Sequence, residues 1–127
     1  WDHGTGVVDS MACNPPEVPA HVHLHKGWFK DTVPEWRKTN TKPISFLHMD
    51  ADIYSSTREV LFEINSQIRP GTIIVFDEFT NFRLSGKMSN WREHEFKALV
   101  EWIEGCSRVV QPLNRNWAYQ ATCVVVS

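Results

Sequence analysis

The sequence predicts an α/β fold built on a mostly parallel sheet. Three observations predict it: strand-like and helix-like segments alternate, two strands are continuous apolar runs, and each of those strands ends on acidic residues. Continuous apolar runs are typical of parallel strands that are buried on both faces. Their acidic ends, Asp50-Ala-Asp52 and Asp77-Glu78, would then meet at one edge of the sheet, where α/β folds bind ligands.

The composition is that of one globular domain. A chain of 127 residues is long enough for one hydrophobic core and too short for two domains. The formal net charge of -2 gives no reason to expect nucleic acid or an anionic membrane as a partner. No apolar run approaches the roughly 20 residues that span a bilayer. Cys13, Cys106 and Cys123 are far apart and odd in number, which favours reduced thiols and a cytoplasmic location.

The first third of the chain predicts a loop, a strand and a helix. Residues 1–20 are rich in turn formers and predict a loop. His21–His25 alternates between polar and apolar residues and predicts a strand, with its three histidines on a solvated face. Thr32 is a candidate helix cap, and Pro34 would lie in the first turn of that helix.

The middle of the chain predicts a strand, a helix and a second strand. Ile44–Met49 is the first continuous apolar strand. Ser56 and Glu59 have the spacing of a capping box, and a helix of about 13 residues would follow with one face buried. Arg69-Pro-Gly71 would end this helix, and Thr72–Phe76 would be the second apolar strand.

The last third of the chain predicts a helix and a strand pair. Ser89 or Asn90 would cap the helix, and Gly105 would occupy its C′ position. The core stripe of this helix comprises Phe96, Leu99, Val100 and Ile103. Two final strands near Arg108–Leu113 and Ala121–Ser127 are separated by a short polar segment, which favours an antiparallel hairpin.

The two acidic strand ends are the candidate functional site. Neighbouring strands lie about 4.8 Å apart, so Asp50, Asp52, Asp77 and Glu78 would concentrate negative charge in one crevice. Like charges at such a distance raise each other's pKa or bind a cation. Carboxylate oxygens suit Mg²⁺, Ca²⁺ or Mn²⁺. An alternative is that the acids cap the helices that follow, and this alternative stays open above all for Asp52.

Three segments carry a resemblance to a known family: HKGWFKDTVPEW (His25–Trp36), FLHMDADIYSSTREVL (Phe46–Leu61) and RPGTIIVFDEF (Arg69–Phe79). Together they closely resemble the macrocin O-methyltransferase family, whose members are class I S-adenosylmethionine-dependent enzymes that methylate sugar hydroxyls. Two residues depart from the family pattern: Thr72 replaces a second Gly, and Glu78 replaces an Asp.

The resemblance implies a set of site residues. A divalent metal, usually Mg²⁺, would be held by Asp50 and by the pair Asp77 and Glu78, with hydroxyls of a small-molecule acceptor completing the coordination. Asp50 would also act as the general base. Asp52 and Tyr54 would lie beside the site as supports or substrate contacts.

The resemblance also implies a fold and its limits. It implies the three-layer, mostly parallel sheet of the class I methyltransferase (Rossmann-like) type, truncated at the N-terminus and with a C-terminal antiparallel strand pair. The family's Gly-rich cofactor loop has no counterpart here, so residues 1–127 are expected to be one partial domain, the C-terminal part of the catalytic domain. Gly27, Trp28 and Phe29 are expected to approach the adenine of S-adenosylmethionine. Open sheet edges predict a homodimer or other self-association.

Two other classes of function remain open. A strand that ends in Asp-x-Asp and a later strand that ends in two acids also describe haloacid-dehalogenase-like phosphatases, which use Mg²⁺ and an Asp nucleophile. Against that class, Tyr54 stands where a small residue is usual, and no Lys lies between Asp50 and Asp77. The other class is a non-catalytic remnant or interaction module. The sequence does not identify the acceptor.

Overall fold

The computed structural model describes residues 15–77, 79, 90–115 and 120–127. Its elements, in order, are α1 (Phe29–Thr39), β1 (Ile44–Met49), α2 (Tyr54–Glu63), β2 (Ile68–Phe76), a 3₁₀ turn (Trp91–Glu93), α3 (Glu95–Gly105), β3 (Val110–Arg115) and β4 (Ala121–Val125). The alternation of strands and helices that predicted an α/β fold is confirmed.

The four strands form one sheet in the order β1-β2-β4-β3. The first two strands are parallel, and β4 runs antiparallel to both of its neighbours. The C-terminal antiparallel pair is therefore confirmed. The prediction of a mostly parallel sheet is wrong for the described strands, because only the β1–β2 pair is parallel and the sheet is mixed.

All three helices pack on one face of the sheet, here called the covered face. They contribute Val33 and Trp36 from α1, Val60 and Leu61 from α2, and Leu99 and Trp102 from α3 to a single core. The strands supply the rest of that core with Met49, Ile74, Phe76, Cys123 and Val125. The described residues thus form two layers, and the third layer of the expected fold stays a prediction.

The opposite, open face of the sheet carries exposed apolar side chains. Phe46 of β1 pairs with Ile73 of β2, and the two are 61% and 36% exposed. The prediction that both faces of Ile44–Met49 are buried is therefore wrong. The physical reason is that the described helices all pack on the covered face and leave this one open, which also exposes Ile73 on the inner strand β2.

The segment His21–His25 does not form the expected strand. It is irregular, and all five of its residues are exposed, including Val22 and Leu24. A strand needs a partner for its backbone groups, and the backbone N–H of Val22 instead donates to the carbonyl of Pro19 in a local turn. The alternation of polar and apolar residues is therefore not sufficient to predict a strand at this segment.

Two helices begin earlier than their capping signals predict. The helix α1 starts at Phe29, so Pro34 lies inside it and Thr32 donates its hydroxyl to the carbonyl of Trp28 at 3.1 Å. The helix α2 starts at Tyr54 after Ile53, and no side chain caps it. Ser56 therefore lies within the helix instead of capping it, and the capping-box prediction is wrong.

The stretch after α2 joins the sheet sooner than expected. The helix ends at Glu63, and Arg69-Pro-Gly71 lies within β2 as an irregularity. The register passes from Ile44↔Ile68 to Phe46↔Ile73, so β2 accommodates extra residues there. Thr72 stabilises this irregularity, because its hydroxyl donates to the carbonyl of Ile44 at 2.6 Å and accepts from the backbone N–H of Arg69 at 3.0 Å.

The ends of α3 also differ from the prediction. His94 precedes the helix, and Asn90 instead precedes the 3₁₀ turn without a side-chain cap, while Ser89 lies outside the described residues. At the other end Ser107, with φ 51°, takes the left-handed position, and the backbone N–H of Arg108 donates to the carbonyl of Ile103 at 2.9 Å. The C′ residue is therefore Ser107 and not Gly105.

The described cysteines are Cys106 and Cys123, and both are free thiols. Burial raises the pKa of the Cys123 thiol to about 11, so it stays protonated and unreactive near neutral pH. Within the described ranges, every helix is too short or too polar to cross a bilayer.

Candidate active site

The carboxyl ends of β1 and β2 place Asp50 and Asp77 side by side. The parallel ladder ends with the pair Met49↔Phe76, and the backbone N–H of Asp77 donates to the carbonyl of Met49 at 2.9 Å. The next residue of each strand is the acid. The expected juxtaposition of these two strand ends is confirmed, and we call the resulting group of Asp50, Asp52 and Asp77 the acidic edge.

The carboxylates of the acidic edge repel one another. Partial desolvation raises the pKa of Asp50 above its ordinary value, and the neighbouring charges of Asp77 and Asp52 raise it further. His48 opposes these effects with a smaller lowering of the same pKa. Among the described residues, the effects that disfavour the charge of Asp50 thus outweigh the one that favours it, and such an electrostatic environment attracts a cation.

Two side chains that the sequence did not single out contact Asp77. His48 of β1 places its Nε2 3.4 Å from Asp77 Oδ1. From the other side, Gln120 donates its amide Nε2–H to the same oxygen. The available signals were weak: His48 is a polar residue within an apolar strand, and Gln120 directly precedes β4.

Asp52 lies in a strained turn between β1 and α2. Its φ is 58°, and the backbone N–H of Ile53 donates to the carbonyl of Ala51 across it at 2.6 Å. A non-Gly residue in this conformation costs on the order of 1 kcal/mol and is found more often at functional sites. Because Ile53 precedes α2 and no side chain caps that helix, the alternative in which Asp52 caps it has no support.

Tyr54 faces α3 with its hydroxyl group. The hydroxyl donates to Glu101 Oε2 at 2.6 Å, and Arg58 Nε lies 3.3 Å from the same oxygen. This hydrogen bond is the main reason why the pKa of Tyr54 is raised and that of Glu101 is lowered. Tyr54 thus links α2 to α3, and its role as a support or substrate contact stays a prediction.

The segment Gly27–Phe29 lies at the start of α1. Trp28 is 75% exposed, and Phe29 borders a surface groove of about 270 Å³ together with Glu59 and Phe62 of α2. Glu59 lies five residues beyond the start of α2, which corresponds to about 7–8 Å along a helix. The groove is thus set apart from the acidic edge, and contact of Gly27–Phe29 with a cofactor stays a prediction.

The donor chemistry of the acidic edge fits a hard divalent cation. Asp50 and Asp77 supply carboxylate oxygens, the ligands that Mg²⁺ prefers. The third expected ligand, Glu78, lies outside the described residues. Among those that the structure does describe, no three His, Cys, Asp or Glu side chains are grouped closely enough to hold a metal. The assignment of a metal to the two adjacent acids therefore stays a prediction.

The chain is thus an α/β domain with acidic residues at the carboxyl ends of its parallel strands, the edge where α/β folds commonly bind ligands. A family model for macrocin O-methyltransferases (TylF) matches residues 18–108. This match covers more than half of the chain, and the chain belongs to the macrocin O-methyltransferase family.

Individual relatives agree with the family assignment. An 8-demethyl-8-(2,3-dimethoxy-alpha-L-rhamnosyl)-tetracenomycin-C 4'-O-methyltransferase of Streptomyces olivaceus is 32% identical over 58 residues, which is 46% of this chain and 21% of the relative. The apo structure of CalS11, a TDP-rhamnose 3'-O-methyltransferase in calicheamicin biosynthesis, matches with a TM-score of 0.59 at 25% identity. That match covers 80% of this chain and 41% of CalS11.

A further solved structure shows the same fold. The O-methyltransferase NovP matches with a TM-score of 0.59 at 20% identity, over 80% of this chain and 36% of NovP. The chain thus spans about a fifth of the curated relative and about two fifths of the solved ones. The resemblance drawn from three sequence segments is confirmed, and it favours a methyltransferase over a haloacid-dehalogenase-like phosphatase.

Proposed function

We propose that this chain takes part in S-adenosylmethionine-dependent methylation of a hydroxyl group on a sugar or a sugar-bearing natural product. The family assignment and the activities of CalS11 and the Streptomyces olivaceus relative support the reaction class. The observation that carries the proposal is the acidic edge, where Asp50 and Asp77 adjoin at the ends of two parallel strands.

In this proposal Asp50, Asp77 and Glu78 hold a divalent metal, with Mg²⁺ as the expected ion. A cation bound there would lower the pKa of a substrate hydroxyl that contacts it. The raised pKa of Asp50, caused first by desolvation and then by the charges of Asp77 and Asp52, supports this assignment, because a bound cation would offset these effects.

Asp50 is the proposed general base. In this role its carboxylate would remove the hydroxyl proton of the acceptor. S-adenosylmethionine, when bound, supplies an electrophilic methyl group. Asp52 and Tyr54 are proposed to support the acceptor side, Asp52 through the strained turn that directly follows Asp50.

We propose that this chain contributes the acceptor and metal side of the site, while most of the methyl-donor side belongs to polypeptide outside these residues. The chain's share of the solved relatives, 36–41% of their length, supports this division. Gly27, Trp28 and Phe29 are the proposed cofactor contacts. Gly27 has φ 147°, and an added Cβ would lie 2.8 Å from Thr32 Cγ2, so this turn requires glycine.

Two further properties belong to the proposal. The outer edge of β1 and the exposed Phe46 beside it would support a homodimer or other self-association, which light scattering would measure. The free thiols Cys106 and Cys123 are consistent with a cytoplasmic location.

The proposed function is tested by metal and cofactor titrations of the full 127-residue chain. We expect Mn²⁺, followed by electron paramagnetic resonance, to bind the wild-type chain and to bind Asp77→Asn at least about 10-fold more weakly. Asp31→Asn, which changes an exposed acid on α1, is the matched control and should bind as wild type does.

The other outcomes distinguish the alternatives. No Mn²⁺ binding to the wild-type chain would contradict the metal assignment and favour a non-catalytic remnant. Calorimetry that detects micromolar binding of S-adenosylmethionine to this chain would contradict the proposed division of the site.

A further inference from the structure

Gln120 lies opposite Asp77 across the sheet. The strands β2 and β4 are antiparallel and end this part of their ladder with the pair Phe76↔Ala121. The next residues outward are Asp77 and Gln120, and the Gln120 amide Nε2–H donates to Asp77 Oδ1. The sheet register therefore sets this contact, since both residues directly adjoin paired strand positions.

The side-chain contacts that Gln120 and His48 make with Asp77 both involve one carboxylate oxygen, Oδ1. Asp77 Oδ1 accepts from Gln120, and His48 Nε2 lies 3.4 Å from the same atom. A carboxylate has two oxygens and several lone pairs, so these contacts do not exhaust its capacity as an acceptor. Fixing Oδ1 restricts rotation of the Asp77 side chain, and Oδ2 is then held in a defined direction.

The Gln120 amide is a neutral donor, so it does not cancel the negative charge with which Asp77 would bind a metal. A Lys or Arg at position 120 would neutralise Asp77 and compete with a cation. An amide orients the carboxylate but leaves its charge intact. Hydrogen bonds from outside the coordination shell that orient metal ligands in this way affect metal affinity and activity by about 10–100-fold.

We propose that Gln120 is a positioning residue that holds Asp77 in the orientation needed to bind the divalent metal. The inference rests on the proposed function, because it assumes that Asp77 is a metal ligand. It goes further by assigning a role to a strand, β4, that the acidic motifs do not include.

The test compares Mn²⁺ affinity in matched glutamine variants of the full 127-residue chain. Gln120→Leu keeps a side chain of similar size without the amide, and we expect it to bind Mn²⁺ about 10–100-fold more weakly. Gln111→Leu changes an exposed glutamine on β3 and should leave the affinity unchanged. Urea denaturation of each variant checks that the fold is retained.

Two measurements separate positioning from a structural role. Gln120→Lys keeps a hydrogen-bond donor but adds a positive charge, and we expect it to bind Mn²⁺ at least as weakly as Gln120→Leu. Restored affinity in Gln120→Lys would show that any donor suffices, and would overturn the role of the neutral amide. In the wild-type chain, the side-chain amide resonances of Gln120 should shift on addition of Mg²⁺, while those of Gln111 should not.

The outcomes also separate this inference from the proposed function. If the wild-type chain binds Mn²⁺ and Gln120→Leu binds it equally well, the inference is wrong and the metal site stands. If the wild-type chain does not bind Mn²⁺, both fail together. Should Gln120→Leu not fold, the amide resonances of the wild-type chain decide, and their insensitivity to Mg²⁺ would overturn the inference.

Discussion

Trp102 on the covered face and Phe46 on the open face are both large apolar residues, yet they are 0% and 61% exposed. Trp102 also has its polar atom satisfied, because its indole N–H donates to Asn65 Oδ1 at 3.0 Å. Asn65 in turn accepts two hydrogen bonds from Arg108. On the covered face, Trp102 is thus enclosed and hydrogen-bonded by the chain's own residues.

The open side of the sheet is incomplete in two ways. Phe46 exposes apolar surface on β1, whose outer edge is paired with none of the described strands. At the acidic edge, desolvation and the charges of Asp77 and Asp52 disfavour the ionised form of Asp50. Exposed apolar patches and uncompensated charges are typical of surfaces that bind other molecules. The covered face therefore supplies the stability of the domain, and the open side is the proposed location of ligand or partner binding.

The largest effect is expected on the covered face. Trp102→Ala removes a fully buried aromatic side chain and leaves Asn65 without one of its donors, which should lower the free energy of unfolding by about 3–5 kcal/mol. Urea denaturation followed by circular dichroism measures the change. Trp28→Ala is the matched control, because Trp28 is 75% exposed. A loss in the control as large as in Trp102→Ala would contradict the comparison.

An intermediate effect is expected at the open face. If self-association uses the edge of β1, Phe46→Lys should weaken it at least about 10-fold, or roughly 1.4 kcal/mol, by placing a charge beside the pairing edge. Analytical ultracentrifugation across a concentration series measures the dimer constant. Phe29→Lys, on α1, should leave it unchanged. A wild-type chain that is monomeric at all concentrations would show that this edge does not associate.

Most elements of the fold were predictable, because apolar runs and turn formers report on local structure. The errors cluster where a tertiary partner decides. His21–His25 alternates as a strand would but pairs with none of the described strands. Ile44–Met49 has the pattern of a fully buried strand, but the described helices cover only one of its faces. Local patterns show that a side chain could be buried, but they do not show what covers it.

Helix ends were the other source of error. Ser56 and Glu59 have the spacing of a capping box, but α2 begins three residues before the start that this box predicts, with Ile53 in the extended conformation at the cap position. Thr72 stands where the family has a glycine, and its hydroxyl stabilises the irregular part of β2. No sequence pattern predicts this role.

The candidate site was predictable only where acids follow strands directly. Asp50 and Asp77 were identified because parallel strands end at the same edge. His48 and Gln120 were missed because their importance depends on register, which brings both of them to Asp77. Register is a property of two paired strands, and it cannot be predicted from the sequence of either strand alone.

The smallest effect, and one of opposite sign, is expected at the acidic edge. The pKa of Asp50 is raised in the folded chain, so the folded state holds this proton more tightly than the unfolded state does. Folding stability is therefore lost as the pH rises through the interval between the ordinary and the raised pKa. Asp50→Asn escapes that loss and should be more stable than wild type near neutral pH, by ~0.2–1 kcal/mol after solvent screening.

The same variant links stability to binding. Below the ordinary pKa of Asp, Asp50 is protonated in both states, so the stability difference between Asp50→Asn and wild type should vanish there. Addition of Mg²⁺ at neutral pH should stabilise wild type and leave Asp50→Asn unchanged, because a ligand stabilises only the state that binds it. The measurement is the urea midpoint of wild type and of Asp50→Asn, below the ordinary pKa of Asp and at neutral pH, each with and without Mg²⁺. If Asp50→Asn is instead less stable than wild type at neutral pH without metal, ionised Asp50 makes a net favourable contribution to folding. The acidic edge would then not destabilise the folded chain.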